Sequence, residues 1–315
     1  MRATFLDARL PKGSELGFGC ASLGSRYDRK ASLRALAVAF DHGVNVFDTA
    51  PSYGQGESES IVGEFARERR DRVVLSTKAG ILPPSAAPKT RRLRAVARRV
   101  FAFAPALRAH VPRPRSVQVS HGHFEPAQIQ ASVEASLRAL RSSHVDFLFL
   151  HDVPAEQALR EDVLALLDTL CDQGKVLRAG ASSDPAALVL IGASARAHAR
   201  PLQFRASVAA WPEWPSEFKL LVRAGDPARA RFGNQPFNGG ALSPELDAEL
   251  RALGPREEAL LRLPLVAGVC DVLVTSMLTP QHIIANCLAV SAPTIPAAAL
   301  AAVAASLLKP VPDAA

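Results

Sequence analysis

Eight short apolar, mostly β-branched runs recur along this chain, most of them followed by a longer stretch with helical spacing, and no other feature constrains the fold as tightly. The runs are LGFGC (16–20), VNVFD (44–48), VVLSTK (73–78), VDFLFLH (145–151), KVLRAGAS (175–182), PLQFRASV (201–208), ARFGNQ (230–235) and CDVLVTS (270–276). Between them KASLRALAVAFDHG, ESESIVGEFARERR, PAQIQASVEASLRALR and AEQALREDVLALLDTLCDQG read as helices, two of them stopped by a glycine, Gly43 and Gly174. Strands that alternate with helices pair in parallel, because each crossover helix carries the chain back to the starting end of the next strand. An open dinucleotide-binding sheet would carry GxGxxG after its first strand. Here GFGCASLG offers two glycines and then Ser22 at the third position, so the glycines read as a tight strand-end turn. The expected fold is α/β in a single domain over 1–315, and the choice lies between a closed (β/α)8 TIM barrel, which needs ~250 residues, and an open doubly wound sheet.

The surplus length sits largely in one place. Residues 81–123 separate the third run from the helix starting near Pro126, a connection far longer than the ~2–6 residues usual in α/β units. From Val73 to Phe124 there is no Asp or Glu, while Lys78, Lys89, Arg91, Arg92, Arg94, Arg98, Arg99, Arg108, Arg113 and Arg115 all fall there. That segment accounts for the formal net charge of +7 and leaves the rest near neutral, which argues against a general nucleic-acid surface. Leu93, Val96, Val100 and Phe103 recur at near-helical spacing between Pro88 and Pro112, so a basic helical insertion after the third strand is expected. Leaving a strand's C-terminal end, it begins on the catalytic face of a barrel and reads as a lid or pocket wall. The rival readings are a solvated basic face and an amphipathic helix that touches a membrane or partner.

Composition narrows the setting. With 48% hydrophobic and 21% charged residues the chain is globular, and no apolar run approaches the ~18 residues of a membrane span. The first residues lack the apolar core of a signal peptide, so a cytoplasmic location is expected. Cys20, Cys171, Cys270 and Cys287 are scattered, without a CxxC pair, and read as reduced, mostly buried thiols. His121 and His123 form the one close histidine pair and read as part of a solvated loop, not as metal ligands.

Three of the apolar runs end in a titratable residue: VNVF in Asp48, VVLST in Lys78 and DFLFL in His151. In a barrel all C-terminal strand ends open on one face, so these groups can converge although they are far apart in sequence. Tyr53, one of two tyrosines, follows Asp48 by five residues on the loop above that face. Such a set suits proton delivery to a carbonyl oxygen. A free phenol, with a pKa near ~10, is too weak an acid for efficient exchange near neutrality. A lysine cation ~4 Å away favours phenolate by at most about 4 kcal/mol and is expected to bring Tyr53 toward the working range. Asp48 would hold Lys78 charged, and neutral His151 would orient the carbonyl. The set needs neither a nucleophile nor a metal, which points to reduction by a hydride carrier.

At these residues the chain resembles the aldo-keto reductase family. The matching text is LGFG near the start, FDTAPSYGQGESE around Asp48 and Tyr53, STKAG around Lys78, SLRALRSSHVDFLFLHDV around His151, then GKVLRAGASS and TPQHIIANCLAV. It covers nearly the whole chain apart from about residues 81–123. The resemblance implies a (β/α)8 barrel preceded by an N-terminal hairpin, an NADPH-type cofactor bound without a Rossmann domain, and Asp48, Tyr53, Lys78 and His151 as the catalytic residues.

The resemblance also carries over cofactor contacts, with departures. Gly19, Cys20 and Asp48 fall at the first two strand ends. The family's Ser-Asn pair for the nicotinamide carboxamide aligns with Ser182 and Ser183, and its glutamine with Gln203. Asn234 stands where many members stack an aromatic residue on the nicotinamide, and Gln235, Pro236 and Phe237 follow it. At the adenosine end the family's KSxxxxRxxxN falls on Ser276, Met277, His282 and Asn286, so both cations expected against a 2′-phosphate are missing. NADPH is the expected cofactor with NADH a direct rival, and the substrate is a small carbonyl compound or sugar. ELGFGCASLGS resembles the sugar-dehydrogenating members such as L-galactose dehydrogenase. Trp211 and Trp214 read equally as pocket lining or as packing. The alternative function is a regulatory or scaffold protein on the same barrel, without catalysis.

Overall fold

The structure, a computed structural model, describes residues 11–83, 119–224, 226, 229–237, 242–277 and 279–309. Eight parallel strands close into a barrel in sequence order: β1 (Leu16–Gly19), β2 (Val46–Asp48), β3 (Val74–Ala79), β4 (Val145–His151), β5 (Val176–Ser182), β6 (Leu202–Arg205), β7 (Arg231–Asn234) and β8 (Val272–Thr275). Each corresponds to one of the eight apolar runs. Around them lie α1 (Arg29–Asp41), α2 (Ser58–Ala66), α3 (Pro126–Leu140), α4 (Glu161–Asp172), α5 (Pro185–Ala193), α6 (Ser216–Arg223), α7 (Pro244–Leu253), α8 (Arg256–Val266), α9 (Pro280–Ser291) and α10 (Ala297–Leu307).

Local chemistry explains where helices begin. The Asp28 carboxylate accepts from Ala31 N ahead of α1, Asp184 from Ala187 N ahead of α5, and Thr279 from His282 N ahead of α9. Glu125 and Gln128 form a capping box around Pro126, the first residue of α3. Helices pack closely where glycine allows it: a Cβ on Gly63 of α2 would fall 2.4 Å from the Leu140 carbonyl oxygen of α3.

Alternation along the strands sets the barrel interior. Val46, Val74, Phe147, Phe149, Phe232, Val272 and Val274 form an inner cluster separate from the larger apolar layer between sheet and helices. Phe232 stands edge-on to Phe147 and Phe149, with ring centroids 4.8 and 5.2 Å away. These side chains plug the barrel, so the residue two positions further along β2, β3, β4 and β7 forms the floor of the open mouth. Those residues are Asp48, Ser76 with Lys78 beyond it, His151 and Asn234.

The expected N-terminal hairpin and most of the basic insertion lie outside the described residues. The stem of the insertion is described: Leu82 N donates to Ser120 O at 2.9 Å and His123 N to Gly80 O at 3.1 Å, so the chain leaves and re-enters at one point above β3. Gly80, at φ +111°, is required there, since a Cβ would collide with the Phe124 ring at 2.1 Å. Cys20, Cys270 and Cys287 are buried thiols and Cys171 is half-buried. Among the described residues no helix is long and apolar enough to cross a membrane.

Candidate active site

Asp48 ends β2 beside Ser76 in the register of β3. Lys78, two residues on, donates to Asp48 Oδ2 at 2.6 Å and to the Thr49 carbonyl at 3.0 Å. The other carboxylate oxygen accepts from Ser76 Oγ at 2.7 Å and from Gln203 Nε2, across the barrel on β6, at 3.1 Å. Lys78 and Asp48 are only 1% and 3% exposed, so the pair is held in a low-dielectric floor with its lone pairs occupied. Burial alone would drive the Lys78 ammonium down, but Asp48 and Tyr53 together hold its pKa above that of a free lysine. Lys78 is therefore a fixed cation at any physiological pH.

Tyr53 is held over this pair by a loop whose small residues act as posts. Thr49 Oγ1 bonds Ser58 Oγ at 2.8 Å, and Ser58 Oγ donates to Cys20 O at 2.9 Å. Gly54 N donates to Ala21 O at 3.1 Å. Gly54 takes φ +58°, and any Cβ there would lie 1.8 Å from Leu23 O, so the residue after Tyr53 must be glycine. Below, Thr77 Oγ1 donates to buried Glu59 at 2.6 Å and ties β3 to α2. The FDTAPSYGQGES segment is thus a clamp between the first two strand ends, and it sets Tyr53 with its ring centroid 4.8 Å from Lys78 Nζ and 5.8 Å from the His151 ring.

The pKa of Tyr53 departs from the expectation. Burial raises it, and although Lys78 opposes that shift, the net result lies above the ordinary tyrosine value. The phenol is therefore protonated at neutral pH. Burial, then Lys78 and His121, lowers His151 to about 3, so its imidazole is neutral, and its buried Nδ1 has no partner among the described residues.

A cavity of about 610 Å³ opens over this floor, lined by Gly19, Asp48 and Tyr53 on one side and by Asn234, Gln235, Pro236, Phe237 and Ser276 on the other. Arg26, which no motif singles out, lines it too. A second cavity of about 560 Å³ adjoins it over β5–β7, sharing Asn234 and Gln235 and reaching Ser182, Ser183 and Trp214. Trp214 is thus pocket lining, whereas Trp211 is fully buried and donates to Ala206 O at 3.3 Å. Ser183 Oγ donates to Val153 O at 2.7 Å.

Not every residue assigned to cofactor contacts faces these cavities. Met277 is 1% exposed within the apolar layer, and Cys20 is buried with its thiol turned to Phe18 O at 3.5 Å, so their side chains are packing residues. Ser276 and His282 are exposed and Asn286 half-buried, around the start of α9. Gln203 is fully buried, with its Nε2 on Asp48 and its Oε1 unpartnered among the described residues. Spacing could have exposed Ser76, which shares a face with Lys78. The Gln203–Asp48 bond joins residues 155 apart in sequence and could not be read there.

The Aldo/keto reductase family profile matches residues 15–200, and the chain belongs to that family. It is 34% identical to D-threo-aldose 1-dehydrogenase from Pseudomonas sp over 142 residues, 44% of this chain and 39% of that protein. The chain spans less than half the length of the curated relatives it matches. Its fold is similar to the holo form of aldo-keto reductase AKR11C1 from Bacillus halodurans (22% identity, TM-score 0.72, 99% of both chains). It is also similar to an aldo/keto reductase from Klebsiella pneumoniae in complex with NADP and acetate (21% identity, TM-score 0.66, 99% of this chain and 97% of that one). At these identities the two structures speak for the fold.

Proposed function

We propose that the protein interconverts a carbonyl compound and its alcohol with an NAD(P)(H) cofactor, Tyr53 serving as general acid in reduction and general base in oxidation. The observation that carries this reading is the buried Asp48–Lys78 pair beneath the Tyr53 ring, with neutral His151 5.8 Å from that ring. Proton transfer by a positioned phenol is worth about 10²–10⁴-fold. His151, neutral and edge-on to the Tyr53 ring, would donate to the substrate oxygen and hold the carbonyl beside the phenol. Lys78 stabilises the phenolate left after transfer, and Asp48 keeps the ammonium aimed at it.

The residues present fit a nicotinamide. The unpartnered Gln203 Oε1 suits the carboxamide NH₂, with Ser182 and Ser183 beside it. Gly19 leaves a cradle that a Cβ, 3.4 Å from Ser276 N, would fill. A bound nicotinamide would supply the hydride. NADPH is proposed as the cofactor on the Klebsiella complex. With Ser276 and His282 in place of Lys and Arg, preference over NADH should stay below about 100-fold, or under ~2.7 kcal/mol. The relation to D-threo-aldose 1-dehydrogenase supports an aldose or similar sugar as substrate. The test is a panel of aldehydes, ketones and aldoses run with NADPH and NADH in parallel, followed at the reduced-nicotinamide absorbance. Turnover of at least one aldose is expected; no turnover with any member in either direction would defeat the reading.

A further inference from the structure

We infer that Arg26 is the cation that receives the phosphates of the dinucleotide, in place of the two cations missing near α9. The inference rests on the cofactor reading above. A reduced dinucleotide carries a diphosphate, and NADPH a further 2′-phosphate, so a site that holds it near neutrality needs fixed positive charge or backbone donors along its path. Around the start of α9 this chain offers Ser276 and His282, neither of them a lysine or an arginine, and they are exposed as Arg26 is. Within the catalytic cavity Lys78 is committed to Asp48 and Thr49 at the floor and is 1% exposed. Among the described residues that line the cavity, Arg26 alone is a cation.

Its placement is built. The loop from β1 to α1 is pinned to the Tyr53 loop by Gly54 N on Ala21 O. It is tightened by Ser25 N and Arg26 N on Ser22 O and by the bridge between Leu23 and Tyr27. Asp28 then caps α1 with its carboxylate on Ala31 N, which occupies the nearest acid in sequence. The Arg26 guanidinium has no partner among the described residues, and Arg26 lines the cavity together with Gly19 and Ser276, which lie against each other there. That is the β1–β8 side. Tyr53 and Asp48 line the same cavity as Arg26, whereas Ser182 and Ser183 line the adjoining one, so a dinucleotide with its nicotinamide near Ser182 and Ser183 would pass Tyr53 and carry its phosphates toward Arg26. A planar guanidinium also suits bidentate contact with phosphate oxygens.

The test is direct titration of the protein with NADH and with NADPH, without substrate, read by nicotinamide fluorescence at several salt concentrations. For Arg26→Met we expect about tenfold weaker binding and a shallower salt dependence, with Arg26→Lys recovering part of the loss. Equal weakening of both dinucleotides would place the diphosphate at Arg26, and weakening of NADPH alone would place the 2′-phosphate there. Unchanged dissociation constants in Arg26→Met, with wild-type protein binding both dinucleotides, would overturn the inference. Absence of dinucleotide binding by wild-type protein would defeat the cofactor reading instead. Circular dichroism of the variants separates lost binding from lost folding.

Discussion

On the β2–β4 side of the mouth, Asp48 and Lys78 are almost wholly buried, both carboxylate oxygens accept hydrogen bonds, and Tyr53 is clamped above them by Thr49, Gly54 and Ser58. On the β7–β8 side, Ser276 and His282 are exposed, Asn234 takes the place of a stacking aromatic residue, and Gln235 adopts φ +53° at the wall between two cavities. The family profile, over residues 15–200, covers the first side and stops before β6. On the proposed function, the difference follows from what each side would have to do. A proton relay tolerates little displacement, because both pKa values and geometry depend on burial and on hydrogen bonds of fixed length. A long flexible cofactor can be held by many weak contacts, and these can be redistributed along its length.

The comparison predicts unequal responses to mutation. Lys78→Met should have the largest effect, because it removes the cation under Tyr53 and strands the Asp48 carboxylate in the barrel. Turnover should fall by about 10²–10⁴-fold and stability by about 3–5 kcal/mol, read from steady-state rates and urea unfolding. A variant of near-wild-type stability would contradict a buried Asp48–Lys78 ion pair.

The pH response sharpens the same side. The Tyr53 pKa lies above the ordinary tyrosine value and that of His151 near 3. Below its pKa the phenol is protonated, so reduction should be flat across the neutral range and fall only at strongly alkaline pH. Oxidation needs the phenolate and should rise about tenfold per pH unit through that range. A reduction profile with an acid limb near pH 6.5 would show that His151 titrates normally and is not the buried neutral group.

On the permissive side, Ser276→Lys with His282→Arg should shift preference toward NADPH by about tenfold, or ~1.4 kcal/mol, without altering kcat. The readout is the ratio of kcat/KM for the two dinucleotides. A fall in kcat comparable to that of Lys78→Met would erase the distinction between the two sides.

Much of the frame is legible in the sequence because each βα unit is a local event. The run 145–151 matches β4 residue for residue, while the β6 run 201–208 shortens to Leu202–Arg205 because Ser207 and Val208 already enter a helical turn. Asp48, Lys78 and His151 could be found because each ends an apolar run and all strand ends share one face. What could not be read depends on closure. The Gln203–Asp48 bond spans the barrel, the burial that raises Tyr53 comes from elements far apart in the chain, and Arg26 gains meaning only when β1 lies next to β8.

The claim that Tyr53 is the proton-transfer group over a fixed Lys78 is tested most directly by Tyr53→Phe. Turnover of the preferred carbonyl substrate would be measured alongside a fluorescence titration of the reduced dinucleotide. The account predicts a loss of about 10²–10⁴-fold in kcat, with the dinucleotide dissociation constant changed less than about threefold (~0.65 kcal/mol). A variant that keeps most of its turnover while binding the dinucleotide normally would contradict it.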